Sequence, residues 1–292
     1  MEQQIHPQKA SVFKYSVFTV FCLIFLKAIV SWRTNSLGVL SSAVDSFLDL
    51  FSSLFNWFSL VQAEKPADEE HPYGHGKIES LAGLFQSLVL SLTAFYIVYE
   101  AYRRYQLPAI EIQAIEAIIA MCISLLATAF LVWKIKKTAK ATDSLILKAE
   151  ALHFQSDFLT GIGIIASLLM LFWTQRLEFD FLAGLVISIY ILIQSSKLFW
   201  TSVNELIDRA LPLEEIQTIK NIILNFDSRI SNIHEFRTRK MGTFRFVDCH
   251  IEIRNIESFK EAHKLTEDII KAIKHHFVDM DITIHYDPEG AE

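Results

Sequence analysis

Asp45 and Asp49 interrupt one long apolar run, and His153 and Asp157 interrupt another. Each pair is spaced i,i+4, so its two members leave the same face of a helix one turn apart. Three carboxylates and one imidazole are the ligand types of a four-coordinate, tetrahedral site for a divalent transition metal. Placing an ionised side chain in the middle of a bilayer costs about 3 kcal/mol or more, so such residues mark function by default. The competing reading is a satisfied polar network between helices.

Two further groups carry the same chemistry. Asp68, His71 and His75 fall in a polar stretch with Pro72, Gly74 and Gly76, whose irregular backbone can fold around one ion. The bland alternative there is a solvated acidic loop, with Glu64, Glu69 and Glu70 merely attracting cations. The C-terminal segment holds His234, His250, His263, His285 and Asp287. His285 and Asp287 share a strand face by the period of two, with Pro288 ending the strand. Any one of these histidines alone reads as a surface residue; the group reads as a metal site. Cys249 precedes His250 and faces the other way, and His6, His275 and His276 read as surface residues.

The elements that must position these groups follow from the apolar pattern. The 292 residues are 52% hydrophobic, with a mean hydropathy of +0.31, high for a water-soluble chain. Six segments are long enough to cross a bilayer, which takes about 20 residues each: 12–32, 37–61, 78–103, 111–136, 145–173 and 179–205. Their connections hold Thr34 and Asn35, the stretch 62–77, Pro108, a Lys-rich turn at 136–143, and residues 175–178. The first run is too long for a signal peptide.

Six spans leave both termini on one side. Lys9, Lys14, Lys65, Lys77, Lys134, Lys136, Lys137 and Lys140 lie on that side, against Arg33, Arg103, Arg104 and Arg176 on the other. The excess places both termini in the cytoplasm. Asp45–Asp49 then lie roughly 12–18 Å from the outer end of span two, and His153–Asp157 as far from the inner end of span five. Antiparallel packing brings all four to one level of a ~30 Å hydrocarbon core.

Beyond residue 210 the chain turns charged. Residues 212–226 have a helical apolar pattern; 233–241 and 244–253 read as paired strands around Gly242; 258–277 is an amphipathic helix and 281–286 a third strand. The order α-β-β-α-β fits a small sheet with helices on one face. The chain is thus expected to be an α-helical membrane domain over 1–210 followed by an α/β domain over 211–292. A net charge of −6 and a pI near 5.9 give no support for nucleic-acid binding. Cys22, Cys122 and Cys249 show no CxxC spacing, which argues against a disulfide framework or a thiolate zinc site.

The segments 41–49 (SSAVDSFLD), 71–79 (HPYGHGKIE), 150–157 (EALHFQSD) and 205–212 (ELIDRALP) resemble the cation diffusion facilitators, in particular bacterial zinc-exporting homodimers. The resemblance spans essentially the whole chain. It implies that Asp45, Asp49, His153 and Asp157 form a transport site for Zn2+, with Cd2+ or Fe2+ as further cargo, in a bacterial inner membrane. It also implies that the cytoplasmic domain is metallochaperone-like and holds two zinc ions bridged by Asp287. Asp68, His71 and His75 would form a weaker loop site, and Lys77 and Asp208 an interdomain or intersubunit charge cluster. The activity expected is export of metal in exchange for protons. Two other classes compete: a membrane-anchored metal sensor with a structural intramembrane site, and an intramembrane aspartyl hydrolase. No output domain follows the tail, and no Gly-x-Gly-Asp element accompanies the aspartates.

Overall fold

A computed structural model of the chain describes residues 7–34, 37–106, 115–174, 178–256, 258–277 and 279–290. Asn35, Pro108, Gln175, Arg176, the first residues of the expected fourth span and the side chain of Arg104 lie outside them. The chain divides into two compact units, Met1–Val203 and Asn204–Glu292.

The first unit is built of six helices: α1 (Pro7–Thr34), α2 (Leu37–Ala63), α3 (Lys77–Gln106), α4 (Ile115–Thr142), α5 (Leu145–Thr174) and α6 (Glu178–Leu206). Each has 27 to 30 residues, or about 40–45 Å at 1.5 Å per residue, enough to cross a bilayer with a turn to spare. Pro7 opens α1 at the position where its missing N–H is harmless. A left-handed Asp143 makes the tight turn from α4 into α5.

Within α1, α3, α4 and α6, segments Gln8–Arg33, Lys77–Arg103, Ile119–Thr142 and Phe181–Leu206 are long and apolar enough to span a membrane. The other two helices carry the ionisable pairs. Asp45, Asp49, Asn56 and a run of serines lower the hydropathy of α2, and Lys148, Glu150, His153, Gln155 and Asp157 that of α5.

α1 packs on α2 and α4, α5 on α4, α3 and α2. Phe13, Leu60, Leu131, Ile135, Ile146 and Phe154 form the buried centre of this group. Leu90, Leu145, Ile191 and Leu198 join α3, α5 and α6. Gly184 of α6 lies so close to α3 that a Cβ there would come within 2.7 Å of the Ala101 Cβ, the close approach that small residues permit between membrane helices. Phe18, Phe25, Phe51, Leu92, Phe95 and Leu126 point outward, an apolar exterior that suits lipid and not water.

The second unit runs α7 (Leu213–Leu224), β1 (Ile230–Met241), β2 (Phe244–Ile253), α8 (Phe259–His276) and β3 (Met280–Pro288). The strands form one sheet in the order β1-β2-β3. β1 and β2 are antiparallel, turning at a left-handed Gly242, and β2 runs parallel to β3 with α8 as the crossover. Ser258 caps α8 by accepting from the Glu261 N–H, the S-x-x-E start signal. Val247, Cys249 and Ile251 of β2, Ile219 and Ile223 of α7, and Ile269 and Ile273 of α8 make one core. Both helices therefore cover the same sheet face, and alternation sends His250 and Asp248 to the other. β1 begins three residues earlier than its apolar pattern suggests, because Ile230 pairs with Ile253 across a bulge.

Candidate metal centres

In the membrane unit, α2 and α5 bring three of the four expected ligands together. His153 Nε2 lies 3.3 Å from Asp49 Oδ1 and 3.8 Å from Asp157 Oδ2. One donor atom from each of the three falls within 4.8 Å of the other two. His153 is buried, and its Nε2 and Asp157 Oδ2 are shielded from solvent without a hydrogen-bond partner. Buried polar atoms left so, converging on one point, form a donor set that a cation would satisfy. Asp45 sits one turn from Asp49 with its side chain exposed, outside the group of three.

A layer of polar contacts supports this triad. Glu150 lies three residues before His153 on α5 and is wholly buried. Its Oε1 accepts from Ser16 Oγ at 2.8 Å and Ser53 Oγ at 2.7 Å, and its Oε2 accepts from Asn56 Nδ2 at 2.7 Å. One carboxylate thus ties α1 and α2 to α5. Lys27 of α1 donates to Ser46 Oγ at 2.7 Å, between Asp45 and Asp49 on α2. Sequence alone gave Lys27 and Glu150 no role. Lys27 carried the same signal as the aspartates, a charge inside an apolar run; Glu150 stood in a quoted motif.

Near the start of the bundle a second ionic knot forms. Lys9 is buried, with Nζ 2.9 Å from Glu64 and 3.3 Å from Glu79. Glu79 also accepts from Ser144 Oγ and from the Leu145 N–H, both at 2.9 Å, capping α5.

The loop between α2 and α3 gathers Asp68, His71 and His75. Asp68 Oδ1 accepts from the His71 N–H at 2.6 Å, and its Oδ2 is 3.4 Å from His75 Nε2. The imidazole centroids are 4.4 Å apart. A left-handed Gly74 lets the chain turn back, its N–H donating to the His71 carbonyl at 2.8 Å. The His71 backbone N–H, then its side chain and the nearby His75, hold the Asp68 carboxyl below the usual carboxylate range. Lys77 opens α3 immediately after this loop.

In the second unit the centre lies on the sheet face opposite the helices. His234 and His250 are cross-strand partners, and His250 is in register with His285. Asp287 Oδ2 is 3.0 Å from His250 Nδ1 and 3.2 Å from His234 Nε2, while its Oδ1 is 3.3 Å from His285 Nε2. One carboxylate therefore faces imidazoles from all three strands. The hydrogen bond from His250 chiefly, and the three imidazoles together, hold the Asp287 carboxyl low. His234, His250 and Asp287 offer donors within 4.8 Å of one another. His263 is not brought to them: it is exposed on α8, 3.6 Å from Glu267 and stacked on Phe259. Asp208, left-handed, lies 3.7 Å from Arg239. Cys249 points into the core, where burial pushes its thiol up to about 12, so it is no ligand. Cys22 and Cys122 are free as well.

Two family models cover the two units. A cation efflux transmembrane domain matches residues 13–207, and a cation efflux protein cytoplasmic domain matches residues 211–289. The chain belongs to the cation efflux, or cation diffusion facilitator, family. The cation-efflux pump FieF of Pectobacterium atrosepticum is 36% identical over 273 residues, covering 92% of this chain and 89% of the pump. FieF of Yersinia pestis is 36% identical over 272 residues, 91% of this chain and 88% of its own. Among solved structures, the zinc form of the putative zinc transporter CzrB is 30% identical at a TM-score of 0.27, over 29% of this chain and 97% of that one. This chain is accordingly a membrane-embedded cation-efflux transporter with a cytoplasmic domain, in a family of transporters and not of enzymes.

Proposed function

We propose that the chain exports Zn2+ from the cytoplasm in exchange for protons, through Asp45, Asp49, His153 and Asp157. The observation that carries this reading is the convergence of Asp49 and Asp157 on the buried His153, between α2 and α5. A mixed imidazole–carboxylate set favours zinc, whereas an all-oxygen set would favour harder cations such as manganese. Cd2+ and Fe2+ suit the same donors. Asp45 is the fourth ligand, reaching the ion from one turn along α2. Metal ligands bind deprotonated, so loading expels protons and release takes them up. Alternating access then lets the inward proton gradient drive metal outward.

The remaining centres are regulatory in this account. Asp68, His71 and His75 hold a weak loop ion. His234, His250, His285 and Asp287 hold two zinc ions with Asp287 between them, and His263 belongs to this set only when a ligand is drawn in from α8. Zinc in the cytoplasmic domain tightens a homodimer and biases the transport equilibrium. The lysine excess on the connections puts both termini inside, in a bacterial inner membrane.

The test is zinc flux in proteoliposomes with Asp157→Ala beside the wild type. The variant is expected to lose transport while its cytoplasmic domain still binds zinc; retained transport would sink the proposal.

A further inference from the structure

Lys27 is the sole Lys, Arg, Asp or Glu between Lys14 and Arg33 on α1. It stands seven positions before the end of the helix at Thr34, roughly 10 Å at 1.5 Å per residue. A lysine so placed ordinarily runs its four-carbon stem along the helix and leaves its ammonium at the water interface. This one turns inward. It donates to Ser46 Oγ at 2.7 Å, and Ser46 is buried between the two aspartates of α2. Ser46 stands one residue after Asp45 and three before Asp49, so the ammonium is held against the same stretch of α2 that carries two of the four residues assigned to the transport site.

We propose that Lys27 is a resident counter-cation of the membrane site, occupying the field of its carboxylates when no metal is bound and repelling the metal once it arrives. The inference rests on reading Asp49, His153 and Asp157 as the transport site. Deprotonated to receive the metal, the three carboxylates carry three negative charges, and Lys27 offsets one of them. A divalent ion brings the sum to zero with Lys27 present and leaves one negative charge without it. The ammonium therefore acts against tight binding: it offsets part of the negative charge once the site's protons have left, and it lowers affinity enough for the ion to leave. A carrier needs both, since a site that binds too well does not turn over. Lys27 is a positioning and affinity-setting residue and makes no contact with the ion.

The test uses the full-length protein in detergent and in proteoliposomes, with zinc as the probe. Membrane-site binding is the part of a calorimetric zinc titration that Asp157→Ala removes. Lys27→Met, of similar length and uncharged, is expected to tighten that binding at least tenfold, about 1.4 kcal/mol, and to slow saturated zinc efflux. Lys27→Arg keeps the charge and is expected to stay within about threefold of wild type in affinity. A lysine that only supported the packing would do the reverse, because a loosened site binds more weakly. Unchanged or weaker binding in Lys27→Met, with Asp157-dependent binding present in the wild type, overturns the inference. Absence of Asp157-dependent binding in the wild type overturns the site assignment itself, and this inference with it.

Discussion

Glu150→Gln is the perturbation whose size the structure specifies best. The Glu150 carboxylate is wholly buried and accepts from Ser16, Ser53 and Asn56 at 2.7–2.8 Å. Hydrogen bonds to a charged group contribute about 1.5–3 kcal/mol each, against about 0.5–1.5 for neutral ones. Three bonds thus lose roughly 1 kcal/mol apiece. The two serines recover part of this by rotating toward helical carbonyls one turn back. Asn56, by contrast, meets an amide that can present it with a second donor. The expected net loss is about 2–3 kcal/mol. The assay is reversible denaturation in mixed micelles followed by tryptophan fluorescence, since Trp57 packs against the same core cluster. A double-mutant cycle with Asn56→Ala isolates the contact: that change should cost about 2 kcal/mol alone and under half as much in the Glu150→Gln background. Because Glu150 lies one turn from His153, the same variant should weaken zinc binding at the triad. Additive losses, or a variant as stable as wild type, would refute the view that this carboxylate clamps α1 and α2 to α5.

Glu79→Ala removes both the cap of α5 and one partner of buried Lys9. With Glu64 still beside Lys9, the loss should be about 2 kcal/mol, with faster amide exchange over residues 145–148; unchanged exchange there would contradict the cap. In the second unit, Arg229 grips Asp227 through Nε at 3.0 Å and Nη2 at 2.8 Å and holds its carboxyl below the ordinary range. A depressed folded value means that the stabilisation is complete above the unfolded value of about 3.9 and is lost as pH falls through the lower one. Asp227→Asn should therefore lower the melting midpoint of the 204–292 fragment at pH 7 and lower it by less near pH 2. An equal shift at both pH values would show that the charge is not responsible.

Much of this architecture was legible because its signals are local. An i,i+4 pair of ionisable residues inside an apolar run fixes both a helix and its functional face, so Asp49, His153 and Asp157 stood out before any contact was known. The amphipathic period of α8 and the alternation of β2 likewise set which side of the sheet is core. Rotation of the membrane helices was not legible. In lipid the outer face is as apolar as the bundle face, so nothing in the sequence of α1 says that Lys27 and Ser16 point toward α2 and α5. The network around Glu150 depends on that rotation, and so does the Lys9–Glu79 knot. His263 was grouped by residue type alone: on α8 the buried stripe is Ala262, Leu265, Ile269 and Ile273, which turns its neighbour at 263 outward.

The account stands on metal crossing the membrane through the α2–α5 site at the expense of protons. The direct measurement is zinc flux into dye-loaded proteoliposomes while the proton gradient is imposed, abolished and reversed, with Asp157→Ala alongside. Flux that follows the sign of the gradient in the wild type and vanishes in the variant is the predicted result. Zinc movement indifferent to the gradient, or undiminished in Asp157→Ala, would contradict it.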